Sequence, residues 1–368
     1  MKKIKIVHFS QVGGGVDRYI KLYLKYSNHD NFESVVVGTA ALKKANYKDN
    51  SVAFYEIDVP RSFSPVKVLK ATKVFKKIVE SEKPDIVYLH STFAGVIGRL
   101  ACINQDCKVV YNPHGWSFKM DVNYIKRRMF ENIEKFLSVF TDSFIMISNS
   151  ELEEAKNIGI NTTKLNRIYN GIDTSVVLNS EKRNFQDRYV IGMVGRITNQ
   201  KNPIFFVEFA KKILDKHPDT YFIVVGDGEL RRETEKLLKS YGITDSFLIT
   251  GWVDNVYDYI REFDQAVLFS KWEGFGLAVV EYMLSRKPTI ITDIDGMSEL
   301  IDNGVTGFKI EPGDINSAVG YSELIRSNKQ LTQNIIEAAY QNVLTNFDVK
   351  DNVSSQEKLF IKLLEGER

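Results

Sequence analysis

Lys271-Trp272-Glu273-Gly274-Phe275-Gly276-Leu277-Ala278-Val279-Val280-Glu281 follows the apolar run Gln265-Ala266-Val267-Leu268-Phe269. The run reads as a buried strand and residues 277–284 as a helix, which makes residues 273–276 the turn between them. Glycines on both sides of Phe275 let the backbone approach a ligand, and the free N–H groups of a first helical turn favour an anion there. Glu273 precedes the helix and Glu281 lies on its second turn. A carboxylate therefore stands on each side of the anion position, able to hold hydroxyls as a carboxylate grips ribose in dinucleotide folds. Phosphate flanked by sugar-binding acids describes a sugar nucleotide. Taken alone, the stretch could also be an ordinary strand-turn-helix with two solvated glutamates.

Its neighbours in the second half repeat the strand-then-helix rhythm. Strands are predicted at 189–194, 221–225, 247–250, 265–269 and 289–292, with helices at 203–215 and 229–240. Gly195-Arg196-Ile197-Thr198-Asn199-Gln200-Lys201 comes directly after the first of these strands. Arg196 as a planar fork and Lys201 as a mobile point charge can neutralise a diphosphate and stabilise a departing nucleoside diphosphate. Gly226-Asp227-Gly228 and Asp293-Ile294-Asp295 also end strands. The latter has an Asp-x-Asp spacing, but no other acidic cluster supports it, so no metal is expected. Helices are predicted to dominate after Ser317, and the apolar spacing of Val353, Leu359, Phe360 and Leu363 predicts a last helix that crosses back to the first domain.

The first half alternates in the same way, with strands predicted at 4–10, 34–38, 53–59, 85–90, 108–112 and 143–147. Gly13-Gly14-Gly15 after the first strand permits a tight turn and a close phosphate or sugar, yet lacks the spaced glycines of a dinucleotide fingerprint. Asn112-Pro113-His114-Gly115-Trp116 places His114 at a carboxyl-end loop, where it could bond a sugar or serve as a structural histidine. A long helix is predicted over 121–140. Its Ile133, Phe136, Leu137 and Phe140 have core spacing, while Tyr124, Lys126, Arg127, Arg128, Met129 and Phe130 mix cations with aromatic and apolar groups, a pattern open to an interfacial or acceptor-facing role that the sequence does not decide. Lys67, Lys70, Lys73, Lys76 and Lys77 read as a solvated face. The polar stretch 179–184 marks a linker.

With 368 residues, 43% of them hydrophobic, the chain can build two cores. The predicted domains are 1–174, a linker at 175–188, 189–345, and a terminal helix within 346–368. No long apolar run and no signal peptide is legible, so a cytoplasmic protein is expected. Cys102 and Cys107 lack partner histidines at metal spacing and suggest neither a disulfide framework nor zinc. The net charge of +2 conceals +8 on residues 1–174 and −6 on the remainder. A basic first half suits an anionic partner, a membrane surface or a lipid phosphate, or is simply a solvated face.

Glu273-Gly274-Phe275-Gly276 with Glu281, Gly195-Arg196 with Lys201, His114-Gly115, Asn170-Gly171-Ile172-Asp173 and Gly226-Asp227-Gly228 together resemble the retaining glycosyltransferases of family 4. The resemblance covers nearly the whole chain. It implies an α/β fold of GT-B type, two Rossmann-like domains with parallel sheets facing across a cleft, the second holding the nucleotide. It further implies that Arg196 and Lys201 contact the donor diphosphate, Glu281 the ribose, Glu273 the transferred sugar, and His114 that sugar from the other domain. Glu273, His114, Arg196 and Lys201 are thus the candidate catalytic residues. The Gly276 and Leu277 amides would face donor oxygens, Val253 and Asp254 would flank the base, and Gly13 and Gly14 would lie near the diphosphate or acceptor. A metal-independent transferase that retains anomeric configuration is implied, with no cofactor because the nucleotide sugar is itself a substrate.

The His90-Ser91 and Asn112 to Phe118 segments look most like members that assemble bacterial polysaccharides. The expected reaction moves a hexose or N-acetylhexosamine, from a UDP-sugar above all, to a lipid-diphosphate-linked or growing surface glycan. An enzyme peripheral on the inner face of the plasma membrane is compatible with this, and a nucleic-acid partner is not expected. Three consecutive glycines followed by Val16-Asp17 replace the more usual pair with a nearby glutamate, which bears on acceptor contacts. A sugar-nucleotide epimerase and a non-catalytic glycan-binding subunit are the rivals. The first would release an epimer without an acceptor, and the second would bind no nucleotide.

Overall fold

Strands on which apolar residues run almost without interruption, such as Ile6-Val7-His8-Phe9 and Val35-Val36-Val37, are those of a sheet covered on both faces. The computed structural model describes residues 2–11, 13–42, 47, 52–60, 64–176, 185 and 188–366. It divides into two units, Met1–Asp173 with Val349–Arg368, and Thr174–Asp348. Val12 and the predicted linker core at 179–184 lie outside the described residues.

The first unit holds strands β1 (Ile4–Ser10), β2 (Phe32–Gly38), β3 (Ala53–Glu56), β4 (Ile86–His90), β5 (Lys108–Asn112), β6 (Ser143–Met146) and β7 (Leu165–Arg167). Its helices are α1 (Gly15–Tyr26), α2 (Pro65–Glu82), α3 (Thr92–Ala101), α4 (Tyr124–Leu137) and α5 (Asn149–Asn157). The strands pair in parallel in the order β3-β2-β1-β4-β5-β6-β7. The order reverses between β1 and β4, and in such open sheets ligands bind beyond the carboxyl ends of the strands at that point.

The second unit holds β8 (Tyr189–Val194), β9 (Thr220–Val225), β10 (Phe247–Ile249), β11 (Gln265–Leu268), β12 (Thr289–Thr292) and β13 (Phe308–Ile310). Helices α6 (Pro203–Leu214), α7 (Arg231–Ser240), α8 (Tyr257–Ile260), α9 (Leu277–Leu284), α10 (Ile315–Ser327) and α11 (Lys329–Asn346) accompany them. The parallel order β10-β9-β8-β11-β12-β13 reverses between β8 and β11. The last helix, α12 (Val349–Glu365), belongs to the first unit. Its Phe360 is buried against Tyr23 and Tyr88, and Glu357 accepts from the Ser27 hydroxyl and the Asn28 amide at 2.8 Å each.

Two predictions needed correction. The helix expected over 121–140 is α-helical only from Tyr124 to Leu137, because Asn123 caps its start and a 3₁₀ turn, Ser138–Phe140, ends it. Phe136, expected in the core with Ile133, Leu137 and Phe140, is 64% exposed. It lies about 100° round the helix from Leu137, so the face that buries Leu137 and Glu134 turns Phe136 outward. β7 and β13 were not predicted. Among the described residues no helix is long and apolar enough to cross a membrane.

Candidate active site

In the second unit the polypeptide itself builds a corner beyond the carboxyl ends of β8 and β9. Gly195 N–H donates to the Val225 carbonyl and Ile197 N–H to the Asp227 carbonyl, both at 3.0 Å. The loop after β8 therefore lies against the loop after β9. The contact is close enough that a Cβ on Gly226 would stand 2.1 Å from the Gly195 oxygen, and one on Gly228 2.3 Å from the Ile197 oxygen. Arg196, between them, is exposed and its guanidinium has no hydrogen-bond or ion-pair partner among the described residues. Lys201, in the 3₁₀ turn Asn199–Lys201, lays its aliphatic stem over Gly195, where a Cβ would meet that stem at 3.3 Å.

The loop after β11 brings the opposite charge. Glu273 is ion-paired to Lys201 and accepts from Ser270 at 3.5 Å, while its own amide donates to Asp295 at 3.4 Å. The Lys271 amide donates to the Gln200 carbonyl at 2.8 Å and the Gln200 side chain donates to the Trp272 carbonyl at 3.0 Å, so the loops after β8 and β11 are stitched together. Phe275 is buried beneath the turn and Gly276, at φ +95°, opens α9 with no side chain capping it. That φ is costly for any residue with a Cβ, and the absent cap leaves the first N–H groups of α9 to an anion. Glu281, one turn further along α9, is 3% exposed and on the same helical face as Leu277. The Val194 amide donates to the Tyr282 hydroxyl at 2.6 Å, which fixes α9 against β8.

Thus Arg196 and Lys201 follow β8, and Glu273, Gly276, Leu277 and Glu281 follow β11, the two strands that flank the reversal of strand order in this unit, and the Lys201–Glu273 pair joins the two segments. Val253, half-buried, and Asp254, exposed, lie in the loop after β10, which touches the loop after β9 through a bridge between Gly226 and Gly251. Asp293 accepts from Ser298 and pairs with Lys309 at 3.4 Å, and Asp295 accepts from Glu273, so these two acids serve the loops around them.

The first unit gathers a second set at its own reversal point. Gly13 and Gly14 follow β1, and Gly14, at φ +69°, opens α1 with no side-chain cap. His114 follows β5 at φ +52°, a left-handed conformation uncommon outside glycine, held because its amide donates to Asn112 Oδ1 at 3.0 Å. Glu151, buried on α5, fastens the rest of the loop by accepting from the Gly115 amide at 2.5 Å and the Ile147 amide at 3.0 Å. Its carbonyl also accepts from the Trp116 indole at 2.9 Å.

Sequence reasoning missed what lies behind His114. His90 Nδ1 is 3.1 Å from His114 Nε2, and His90 Nε2 is 3.3 Å from His8 Nδ1. His8 and His90 are fully buried, and Tyr19 and Tyr88 share a 2.8 Å hydroxyl contact beside them. Burial pushes His8 and His114 down to about 3 and His90 well below the usual imidazole value, so all three rings are neutral near pH 7. The available signal was a pair of histidines interrupting strands that are otherwise apolar.

Residues 13–176 match the model described as Glycosyltransferase Family 4, and residues 178–342 match the one described as Glycosyl transferases group 1. An Escherichia coli UDP-Gal:alpha-D-GlcNAc-diphosphoundecaprenol alpha-1,3-galactosyltransferase is 29% identical, with 98% of each chain covered. The Escherichia coli O-antigen biosynthesis glycosyltransferase WbnH is 28% identical over 74% of this chain and 76% of that one. Among solved structures, Anabaena Alr3699/HepE in complex with UDP and glucose has a TM-score of 0.82 at 19% identity, covering 97% of this chain and 99% of that one.

Proposed function

Because this chain belongs to the GT-B glycosyltransferases of family 4, we propose that it transfers a hexose or N-acetylhexosamine from a UDP-sugar to a lipid-diphosphate-linked glycan. The observation that carries this is the corner of the second unit. There an exposed arginine with no partner among the described residues, a lysine paired to Glu273, the uncapped start of α9 and the buried Glu281 offer cations, amides and carboxylates beyond the carboxyl ends of adjacent strands. The relatives support the choice of donor and acceptor: one is named for UDP-galactose and a diphosphoundecaprenol acceptor, and one structure holds UDP.

In this reading Arg196, Lys201 and the first amides of α9 hold the donor diphosphate. Lys201 exchanges its bond to Glu273 for a phosphate oxygen, which frees the Glu273 carboxylate to accept from sugar hydroxyls. Glu281 accepts from the ribose hydroxyls. The acceptor hydroxyl oxygen bonds to the anomeric carbon as the bond from that carbon to the phosphate oxygen breaks, on the same face, and the acceptor proton passes to the departing diphosphate. The two cations supply the charge stabilisation for that departure, so no metal is required.

The test is a panel of nucleotide sugars offered with lipid-diphosphate-linked acceptors, with and without chelator, the product linkage being read by NMR. UDP-sugar consumption insensitive to chelator and an axial-to-axial or equatorial-to-equatorial outcome are expected. Arg196→Ala and Glu281→Ala should each lower kcat/KM by about 10²–10³-fold while preserving the fold, read from circular dichroism. Intact donors across the whole panel would overturn the proposal, and release of an epimer without acceptor would replace it.

The surface of α4 supports an anionic membrane as a further partner. Tyr124, Ile125, Met129, Phe136 and Val139 are all exposed, and Lys126, Arg127, Arg128 and Lys135 are interleaved with them.

A further inference from the structure

The three histidines of the first unit form a chain whose protons can be counted. Each neutral ring carries one N–H, and each of the two contacts, His8 Nδ1 with His90 Nε2 and His90 Nδ1 with His114 Nε2, needs one donor and one acceptor. Only two arrangements satisfy both contacts. In one, His8 Nδ1–H donates to His90 and His90 Nδ1–H donates to His114, so His114 must carry its proton on Nδ1. In the other every proton moves to Nε2 and His114 Nδ1 becomes a lone pair.

The far end of the chain decides between them. His8 Nε2 is buried with no hydrogen-bond partner among the described residues. In the first arrangement that atom is an unmet acceptor; in the second it is an unmet N–H, and orphaned buried donors are the rarer defect. A third arrangement, with a protonated ring, is opposed by the surroundings. The rings of Tyr19, Tyr23 and Tyr88, the Asn112 amide and Phe360 enclose this region, and no carboxylate contacts any of the three rings among the described residues. His114 itself is half-buried, and its Nδ1 has no partner among the described residues.

We infer that His8 and His90 are positioning residues for sugar transfer: they hold His114 in its Nδ1–H form, so that it presents a donor to a sugar oxygen. The chain rests on the reading of His114 as a sugar contact. Its geometry places the outermost ring at the end of β5 and anchors it through β4 to β1, the strands that flank the reversal of order. A hydroxyl can accept from such an N–H while donating its own proton elsewhere, and the ring cannot switch roles without moving two buried protons.

The protein has five histidines, so selective ¹⁵N labelling of the full chain gives a tractable spectrum. Long-range ¹H–¹⁵N correlations at pH 7.5 should show His8, His90 and His114 all protonated on Nδ1 and bare on Nε2. Protonation of His114 on Nε2 would overturn the inference without any variant. His90→Leu should release His114 toward the Nε2–H form, whereas His90→Gln, whose amide can donate to His114 Nε2, should keep it on Nδ1. With a UDP-sugar and lipid-linked acceptor, His90→Leu should lower kcat/KM about tenfold, the worth of one hydrogen bond, and His90→Gln should restore most of it. A tautomer switch with no kinetic change would remove the positioning role. The intact tautomer pattern in a protein that transfers no sugar would instead overturn the proposed function, and with it the part given to His114.

Discussion

A Cβ at Gly228 would stand 2.3 Å from the Ile197 oxygen and 2.9 Å from the Ile197 amide nitrogen, so the loop bearing Arg196 can lie where it does only beside glycine. Gly228→Ala should push that loop away, lower stability by about 1–3 kcal/mol and weaken UDP binding in calorimetry. A variant that binds UDP as tightly as the wild type would show that Arg196 does not need this packing. The buried histidines give a pH signature of definite sign. His8 and His90 sit below the unfolded imidazole value, so the unfolded chain takes up protons that the folded chain refuses. Stability is therefore unaffected above about pH 6.5 and falls as pH drops below it, by about 1.4 kcal/mol per pH unit for each such ring. For His8 this window extends down to about 3. Denaturant titrations at pH 7, 6 and 5 should show a shallower decline in His8→Phe than in the wild type, and parallel slopes would refute the burial argument. Glu273 and Glu281 were legible because glycines and a strand-to-helix switch framed them. His8 and His90 were not, since a sequence does not show which face of a strand meets which neighbour.

Elements carry the site through their attachments. Helix α3 holds α4 through Arg99 and Glu134, paired at 2.7 Å and both almost fully buried, with Tyr111 donating to Glu134 at 3.2 Å and lying under the guanidinium. Breaking such a pair from one side leaves a buried charge without compensation. Glu134→Ala should cost about 3–5 kcal/mol, and Arg99→Met with Glu134→Leu should recover much of it, both read from denaturant midpoints. If Glu134→Ala costs less than about 1 kcal/mol, the charge finds water and the helix is looser than its packing implies. The long strands were legible because unbroken apolar runs bounded by glycine and asparagine announce buried parallel strands. Leu165–Arg167 and Phe308–Ile310 were not, because three residues cannot display a period, and their strand character comes from pairing with β6 and β12. The same limit explains Phe136. Helix α4 carries two apolar stripes, and periodicity alone does not say which one the sheet covers.

At the scale of the whole molecule, the outer stripe and the charge asymmetry belong together. Ile125, Met129, Phe136 and Val139 recur at coiled-coil spacing on a side of α4 turned away from its packed face, continuing into the 3₁₀ turn, and Ile125 and Phe136 are 79% and 64% exposed. On α2, Val66 and Leu69 are likewise exposed beside Lys67, Lys70 and Lys73. Apolar side chains that enter a bilayer interface gain about 1.5–3 kcal/mol each when fully buried, and each nearby lysine or arginine adds about 1 kcal/mol on an anionic leaflet. Neither term alone holds a protein firmly, but the two act on the same face. A lipid-diphosphate acceptor would be met at that surface. The purified protein should therefore float with vesicles containing phosphatidylglycerol, float less with phosphatidylcholine vesicles, and detach as salt rises, because screening removes only the charge term. Lys126→Gln with Arg127→Gln and Arg128→Gln should weaken flotation and lessen its salt dependence, whereas Ile125→Asp with Phe136→Asp should abolish it at any salt. Transfer to a short, water-soluble acceptor should survive both sets. Flotation unchanged by either set would exclude this face, and a dimer that dissociates in Ile125→Asp with Phe136→Asp would assign the stripe to a second copy of the chain instead.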